Sequence, residues 1–188
     1  MSGDTNNRVF VVMSQTGTVL SRILKMITGA EYNHVSIGLS EELDTMYSFG
    51  RLNAYNPFFG GFVVESPHYG TFKRFKNTKV MVLSLEVGSE KHKEISEYIL
   101  NVSSNRKKYH YNYFGLYVAI FKKVKKKENC FYCSEFVRDV LRNSSIKGSH
   151  EMPEIVQPIH FLSLPSSEII YKGKLKDYKN IRSTIAVK

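Results

Sequence analysis

The sequence predicts a single domain of the α+β class. Short apolar segments that alternate with period two, as half-buried strands do, are spread along the chain. Between them lie segments in which apolar residues recur every three or four positions, as on one face of a helix. The 188 residues suit one domain, and neither an internal repeat nor a shift in composition marks a boundary within 1–188.

Composition excludes several classes of protein. Hydrophobic residues make up 42% of the chain and charged residues 23%, which rules out intrinsic disorder, collagen-like repeats and a membrane-spanning bundle. The 27 Lys and Arg residues outnumber the 17 Asp and Glu residues and give a formal net charge of +10. This surplus favours anionic neighbours such as nucleic acid, phospholipid headgroups or acidic polymers, without choosing among them.

A cytoplasmic location is expected. The apolar run from Val9 to Met13 is far too short for a signal peptide or a membrane-spanning helix. The two cysteines, Cys130 and Cys133, lie three positions apart, whereas a secreted protein of this size more often carries distributed disulfide pairs. We therefore expect a reducing compartment, in which the basic surplus would also suit a peripheral position at a membrane.

Local patterns predict the order of the elements. Period-two and β-branched segments predict strands at 8–13, 33–39, 46–49, 61–65, 80–87 and 169–175. Helical spacing predicts helices over 19–27, about 90–102, the later part of 109–121 and 133–142. The segment 53–60, rich in Asn, Gly and aromatic residues, is predicted to be a linker between two strands.

One predicted strand carries a histidine at its start. Within 33–39 the three apolar residues share one face of the strand, whereas His34 and Ser36 lie on the other, less apolar face. A histidine in such a position is by itself more often a surface residue, or one whose hydrogen bonds are satisfied, than a catalytic one. His34 therefore becomes a candidate base only if the fold brings a nucleophile to it.

Cys133 is the candidate nucleophile. The helical periodicity that follows it places Cys133 in the first turn of a helix, where backbone N–H groups without helical partners lower the pKa of a thiol. A neighbouring imidazolium would stabilise the thiolate further, and a third polar group would orient the ring.

Three other interpretations of the two cysteines are open. Cys133 would also suit a small apolar core residue, because free cysteine is among the most buried residue types. Cys130 and Cys133 also form a C-x-x-C pair, but it lies late in the chain after a lysine run rather than after an early strand, which disfavours a redox role. No second C-x-x-C or histidine cluster completes a zinc site, so no metal is expected and Cys130 is interpreted as a packing residue.

The segment 132–137, Tyr-Cys-Ser-Glu-Phe-Val, resembles the nucleophile segment of circularly permuted papain-like cysteine amidases. This family is related to NlpC-type cell-wall peptidases, YiiX-like bacterial proteins and lecithin–retinol acyltransferase. In the permuted order the histidine strand precedes the cysteine helix, and the segment 33–38 is similar to that strand. The resemblance implies that Cys133 is the nucleophile and His34 its base.

The resemblance extends over about residues 8–165. The segment 61–65 is similar to the next strand of the family's small barrel, which carries the third polar residue, so Glu65 is implied to orient His34. Two further segments, at 111–116 and 157–161, resemble those before and after the nucleophile helix. The implied fold is a small antiparallel barrel or sheet packed against the helix that begins at Cys133.

The implied activity is that of a cysteine-dependent hydrolase or amidase without a cofactor. The Cys133 thiolate would attack an amide, thioester or ester carbonyl and form an acyl-enzyme, which water or an acceptor amine resolves. The backbone N–H of Cys133 would help to stabilise the oxyanion. A cell-wall-type peptide is the first substrate expected; a lipid-directed acyltransferase or thioesterase of the same fold, or a non-catalytic binding module that keeps the cleft, are the alternatives.

Several residues have competing interpretations. Glu65 would also suit a strand-end carboxylate paired with Lys73 or Arg74, and such surface pairs contribute little. His68 is an alternative polar partner, and His160 is a reserve candidate for the cleft whose simpler interpretation is a loop histidine.

The remaining charged and aromatic segments also have simple structural interpretations. The run from Lys122 to Lys127 is either a solvated loop or a contact with an anionic lipid or polymer. The aromatic residues within 55–62 suit either an acyl pocket or, preferably, the core. Specific nucleic-acid binding is not predicted, because the aromatic segment 109–117 has its basic residues only at its ends.

Overall fold

The computed structural model describes residues 7–17, 26, 29–53, 56–112, 128–165 and 167–178. Within them the fold is α+β, with a six-stranded antiparallel sheet in the order β4-β3-β2-β1-β5-β8. The sheet strands are β1 (Arg8–Gln15), β2 (His34–Gly38), β3 (Met46–Asn53), β4 (Asn56–Glu65), β5 (Lys79–Glu86) and β8 (Ser167–Lys174). A separate short parallel pair consists of β6 (His110–Tyr111) and β7 (Cys130–Phe131).

The described residues form three α-helices, α1 (Gly70–Arg74), α2 (Ser89–Ser104) and α3 (Cys133–Asn143). Their apolar residues explain where they pack. Ile95, Ile99 and Val102 follow one another along α2 at helical spacing, and all three are fully buried. The Tyr98 hydroxyl donates a hydrogen bond to Asp139 and so joins α2 to α3.

The sheet is covered on both faces, which explains why β1 is apolar at consecutive positions. Val9, Val11 and Met13 pack into the core beneath α2 and α3. Phe10 and Val12 point to the opposite face, where a second core includes residues from α1 and from the C-terminal end of the described chain. A strand that is buried on both faces is apolar at successive positions and does not alternate between polar and apolar residues.

The order of strands and helices agrees with the sequence prediction in most places. The strands predicted at 8–13, 33–39, 46–49, 61–65, 80–87 and 169–175 and the helices predicted at 90–102 and 133–142 are all present. The helix predicted at 19–27 lies, apart from Met26, outside the described residues, as do the run 122–127 and the part of 109–121 beyond residue 112.

Two expectations about the sheet need correction. The sheet is open, with β4 and β8 as its edge strands, and does not close into a barrel. The segment 53–60 is not simply a linker, because β3 continues to Asn53 and β4 already begins at Asn56. Pairing between strands maintains the extended backbone there, despite a composition typical of turns, and a register shift lies between Arg51 and Asn53.

None of the helices in the described segments has both the length and the apolar character that crossing a lipid bilayer requires.

Candidate active site

The site forms where β2, β4 and the start of α3 meet. His34 begins β2 and Glu65 ends β4, and β3 lies between these two strands in the sheet. Nε2 of His34 lies 3.0 Å from Oε1 and 3.1 Å from Oε2 of Glu65. Both side chains are largely buried, with 18% of His34 and 15% of Glu65 exposed. The carboxylate therefore fixes the orientation of the imidazole in a region that little bulk water reaches.

Ser36 is the second donor to the same carboxylate. Because side chains alternate along a strand, Ser36 lies on the same face of β2 as His34. Its Oγ donates a hydrogen bond of 2.5 Å to Oε2 of Glu65 and lies 3.4 Å from Nε2 of His34. Ser36 is fully buried, so this hydroxyl is a fixed part of the site.

Gly50 on β3 leaves the space in which His34 and Glu65 meet. A Cβ atom at residue 50 would lie 3.4 Å from Cε1 of His34, 3.9 Å from Oε1 of Glu65 and 3.3 Å from Cγ2 of Val63. Any side chain there would press on the imidazole. The glycine is thus required by close approach and not by backbone conformation.

Cys133 occupies the first position of α3, as the periodicity predicts, and only 5% of the residue is exposed. The residue before it, Tyr132, forms hydrogen bonds through both its backbone and its side chain. Its backbone N–H donates to Oε2 of Glu135 at 3.0 Å, and its hydroxyl donates to the carbonyl of Val156 at 3.0 Å. Asn112 also donates to Oε2 of Glu135, at 3.1 Å. These contacts fix the N-terminus of the helix and therefore the position of the sulfur.

The surroundings of Cys133 favour its thiolate. Burial has the largest single effect and raises the pKa of the thiol, whereas a hydrogen bond with His34 and the charge of His34 lower it. The backbone N–H of Val35 and the hydroxyl of Ser134 lower it further, so the pKa of Cys133 lies below its ordinary value.

The surroundings of His34 favour its protonated form. Burial lowers the pKa of His34, but the charge of Glu65 and hydrogen bonds with Cys133 and Glu65 raise it, so that it lies well above its ordinary value. Cys133 and His34 therefore stabilise each other as a thiolate and an imidazolium, and they titrate as a pair rather than singly.

The start of β2 is not paired with β3, and the Cys133 sulfur interacts with the backbone of β2 there. The ladder between β2 and β3 includes only Ile37 and Gly38 of β2. Nearer the start of β2, the carbonyl of Val35 accepts a 2.6 Å hydrogen bond from the buried hydroxyl of Ser48, and its N–H interacts with Cys133. Side chains from β3 and α3 thus replace the missing ladder contacts.

The structure brings together the three residues singled out from the sequence, Cys133, His34 and Glu65. The Glu65 carboxylate contacts His34 and Ser36.

The reserve candidates lie elsewhere. The ring of His68 contacts Asp44 at 2.9 Å in an exposed pair, and Nδ1 of His160 accepts the N–H of Gln157 at 3.0 Å. Cys130 is a half-buried free thiol on β7. Of the aromatic segment 55–62, Phe62 lies in the core and Phe59 is exposed, while the side chains of residues 55–58 lie outside the described part.

Sequence reasoning did not assign roles to Ser36, Gly50 or the N–H of Val35. Their contribution depends on the register between strands, which the sequence does not state. The one available signal was the alternation of polar and apolar residues in 33–39, which places Ser36 on the same face of the strand as His34.

No group of three or more His, Cys, Asp and Glu side chains within the described ranges is arranged to hold a metal ion. No protein-family model, no curated protein and no solved structure matches this chain.

Proposed function

We propose that this protein is a cysteine-dependent hydrolase that cleaves an amide or ester bond through an acyl-enzyme. The observation that carries the proposal is the interaction of the Cys133 thiol, at the start of a helix, with the His34 imidazole, whose Nε2 also contacts the largely buried carboxylate of Glu65. Thiol catalysis requires a nucleophile in contact with a base, and a third group that orients the base.

The reaction would begin with attack of the Cys133 thiolate on the substrate carbonyl. The C–S bond forms as the carbonyl π electrons move to oxygen, and the N–H of Cys133 at the helix start stabilises this oxyanion. His34 then gives its proton to the leaving group as the C–N or C–O bond breaks. In the second half, His34 takes a proton from water, the water attacks the thioester, and the thiolate leaves.

The order of the residues along the chain supports a circularly permuted papain-like arrangement. His34 and Glu65 lie on β2 and β4, and both precede the helix that begins at Cys133. An open antiparallel sheet packed against that helix agrees with the family in class and in the order of its parts. We propose this family relationship on that order and on the resemblance of the segments 33–38 and 132–137.

Among substrates, a cell-wall-type peptide comes first because of the resemblance to NlpC-type peptidases. An acyl lipid or a thioester is the alternative, since the same acyl-enzyme chemistry serves hydrolysis and acyl transfer.

Trapping the acyl-enzyme tests the proposal directly. The protein is mixed with p-nitrophenyl acetate, quenched in acid within seconds and measured by intact mass, with release of p-nitrophenol followed in parallel. The wild type and Cys130→Ser are expected to carry one acetyl group and to lose it on longer incubation. Cys133→Ser removes the thiol, and His34→Ala weakens its activation, so neither is expected to accumulate the adduct.

Cys130→Ser is the matched control, because Cys130 is the only other cysteine in the chain. An adduct that persists in Cys133→Ser and disappears in Cys130→Ser would overturn the proposal. A wild type that is acylated no faster than Cys133→Ser would identify a binding module instead. Once acylation is established, a peptide amide, a phospholipid and an acyl thioester compared side by side assign the substrate class.

A further inference from the structure

A groove of about 360 Å³ lies along the edge strand β4, between the start of α1 and the end of α2. It reaches the proposed catalytic residues at Glu65, which is part of its wall. On one side it is walled by Phe62 and Val64. Its other polar side chains are two arginines, Arg51 and Arg106, and the hydroxyl-bearing residues Ser66, Tyr69, Thr71 and Ser103.

The two guanidinium groups give the groove a positive balance. Arg51 is half-buried and Arg106 is exposed. Arg51 interacts electrostatically with Tyr111 and with Glu65. Among the described residues that line the groove, Glu65 is the only acidic one, and its carboxylate already contacts His34 and Ser36. Two cationic groups therefore face the groove against one carboxylate that has its own partners.

Strand alternation places Arg51, Phe62 and Val64 on the face of the sheet that packs against α3, and Val63 and Glu65 on the other face, so the groove runs around the edge formed by β4. Arg51 has the same parity on β3 as Phe49, which packs in the core with Cys133 and Phe136 of α3. Across the ladder Arg51 is paired with Gly60, and the Tyr111 side chain packs against this glycine. A half-buried guanidinium has lost part of its hydration, and a planar or tetrahedral oxyanion can replace the lost hydrogen bonds.

We propose that this groove is a subsite for the oxyanion group, a carboxylate or a phosphate, of a substrate whose neighbouring part is apolar. The assignment to substrate rests on the proposed hydrolase function. Arg51 and Arg106 bind the oxyanion, Tyr69 adds a hydroxyl at the rim, and Phe62 and Val64 contact the apolar part. The groove reaches Glu65, so a substrate whose oxyanion is bound by the arginines extends towards the catalytic residues.

The test uses binding and does not depend on catalysis, because it is performed in the Cys133→Ser protein. Benzoate, phenyl phosphate and neutral benzyl alcohol are titrated against the 15N-labelled chain, and amide shifts are followed by NMR. We expect saturable shifts in β4 and at the start of α1 with the two anions, with Kd in the millimolar range, and none with benzyl alcohol. The anion that binds more tightly identifies the class of oxyanion.

Arginine variants decide whether the groove is responsible. Arg51→Gln and the exposed-site variant Arg106→Gln are each expected to weaken anion binding about tenfold. Arg8→Gln is the matched control, because Arg8 forms an ion pair with Glu86 of β5 and lies at the end of β1 that is far from His34. The proposal is overturned if benzyl alcohol binds as tightly as the anions, if neither anion binds, or if both groove variants bind as the control does. Such a result would leave acylation of Cys133 untouched.

Discussion

His34 and Glu65 form a largely buried pair across an intervening strand, with Nε2 of the histidine 3.0 Å from Oε1 of the carboxylate. A second pair in the chain, His68 and Asp44, has nearly the same length, 2.9 Å. The two differ in burial: His34 and Glu65 are 18% and 15% exposed, whereas His68 and Asp44 are 62% and 48% exposed. Solvent screens the second pair, so its residues provide matched controls for the first.

Replacement of Glu65 by Gln is expected to lower the pKa of His34. The carboxylate charge is the largest of the effects that raise this pKa, and the amide keeps the shape of the side chain without the charge. The imidazolium is then lost at a lower pH, so the alkaline limb of acylation by p-nitrophenyl acetate moves to lower pH. An NMR titration of the ring measures the same change. Asp44→Asn is expected to leave the profile where it is; equal profiles for Glu65→Gln and wild type would contradict the assignment.

Replacement of Ser36 by Ala is expected to destabilise the fold by about 1–3 kcal/mol, because a buried carboxylate loses one of its two donors. Ser14 is the matched control. It lies opposite His34 in the β1–β2 ladder and is fully buried, but its hydroxyl has no hydrogen-bond partner in the described part of the chain. Ser14→Ala should therefore cost little. Urea denaturation compares the two, and equal losses of stability would refute the role of Ser36.

Replacement of Gly50 by Ala is expected to slow acylation of Cys133 by about tenfold, because the new methyl group displaces the His34 ring by a few tenths of an ångström. Gly61 faces Gly50 across the ladder and provides the control. A Cβ atom at residue 61 would meet only the Leu52 side chain, at 3.5 Å or more. The experiment compares initial rates of p-nitrophenol release, and a Gly61→Ala variant as slow as Gly50→Ala would show that the effect is not local to the imidazole.

Local patterns were sufficient to predict the elements that carry the site. The helical spacing of Phe136, Val137, Val140 and Leu141 predicted the helix that starts at Cys133, and all four are fully buried. The alternation in 33–39 predicted the strand that starts at His34. Such signals are visible because each depends on neighbours within one element.

Properties that depend on how strands pair were not accessible in the same way. The contribution of Gly50 comes from its position between β2 and β4, and the gap beside Val35 comes from the end of the β2–β3 ladder. The extent of β3 and β4 was underestimated because Asn, Pro and Gly predict turns when neighbouring strands are unknown. The open sheet depends on the shape of the whole sheet and not on any one segment.

The central claim is that His34 holds Cys133 as a thiolate, and the pH dependence of alkylation measures it most directly. The rate of iodoacetamide labelling is followed by intact mass in Cys130→Ser, so that only Cys133 reacts. Because the sulfur is buried, limited access of the reagent lowers the labelling rate by the same factor at every pH. The midpoint of the pH profile therefore reports the pKa of the thiol. We predict a midpoint below about 8.5, the ordinary value for a free cysteine, that rises on His34→Ala and stays in place on His68→Ala. A midpoint at or above that value, unaffected by His34→Ala, would contradict the account.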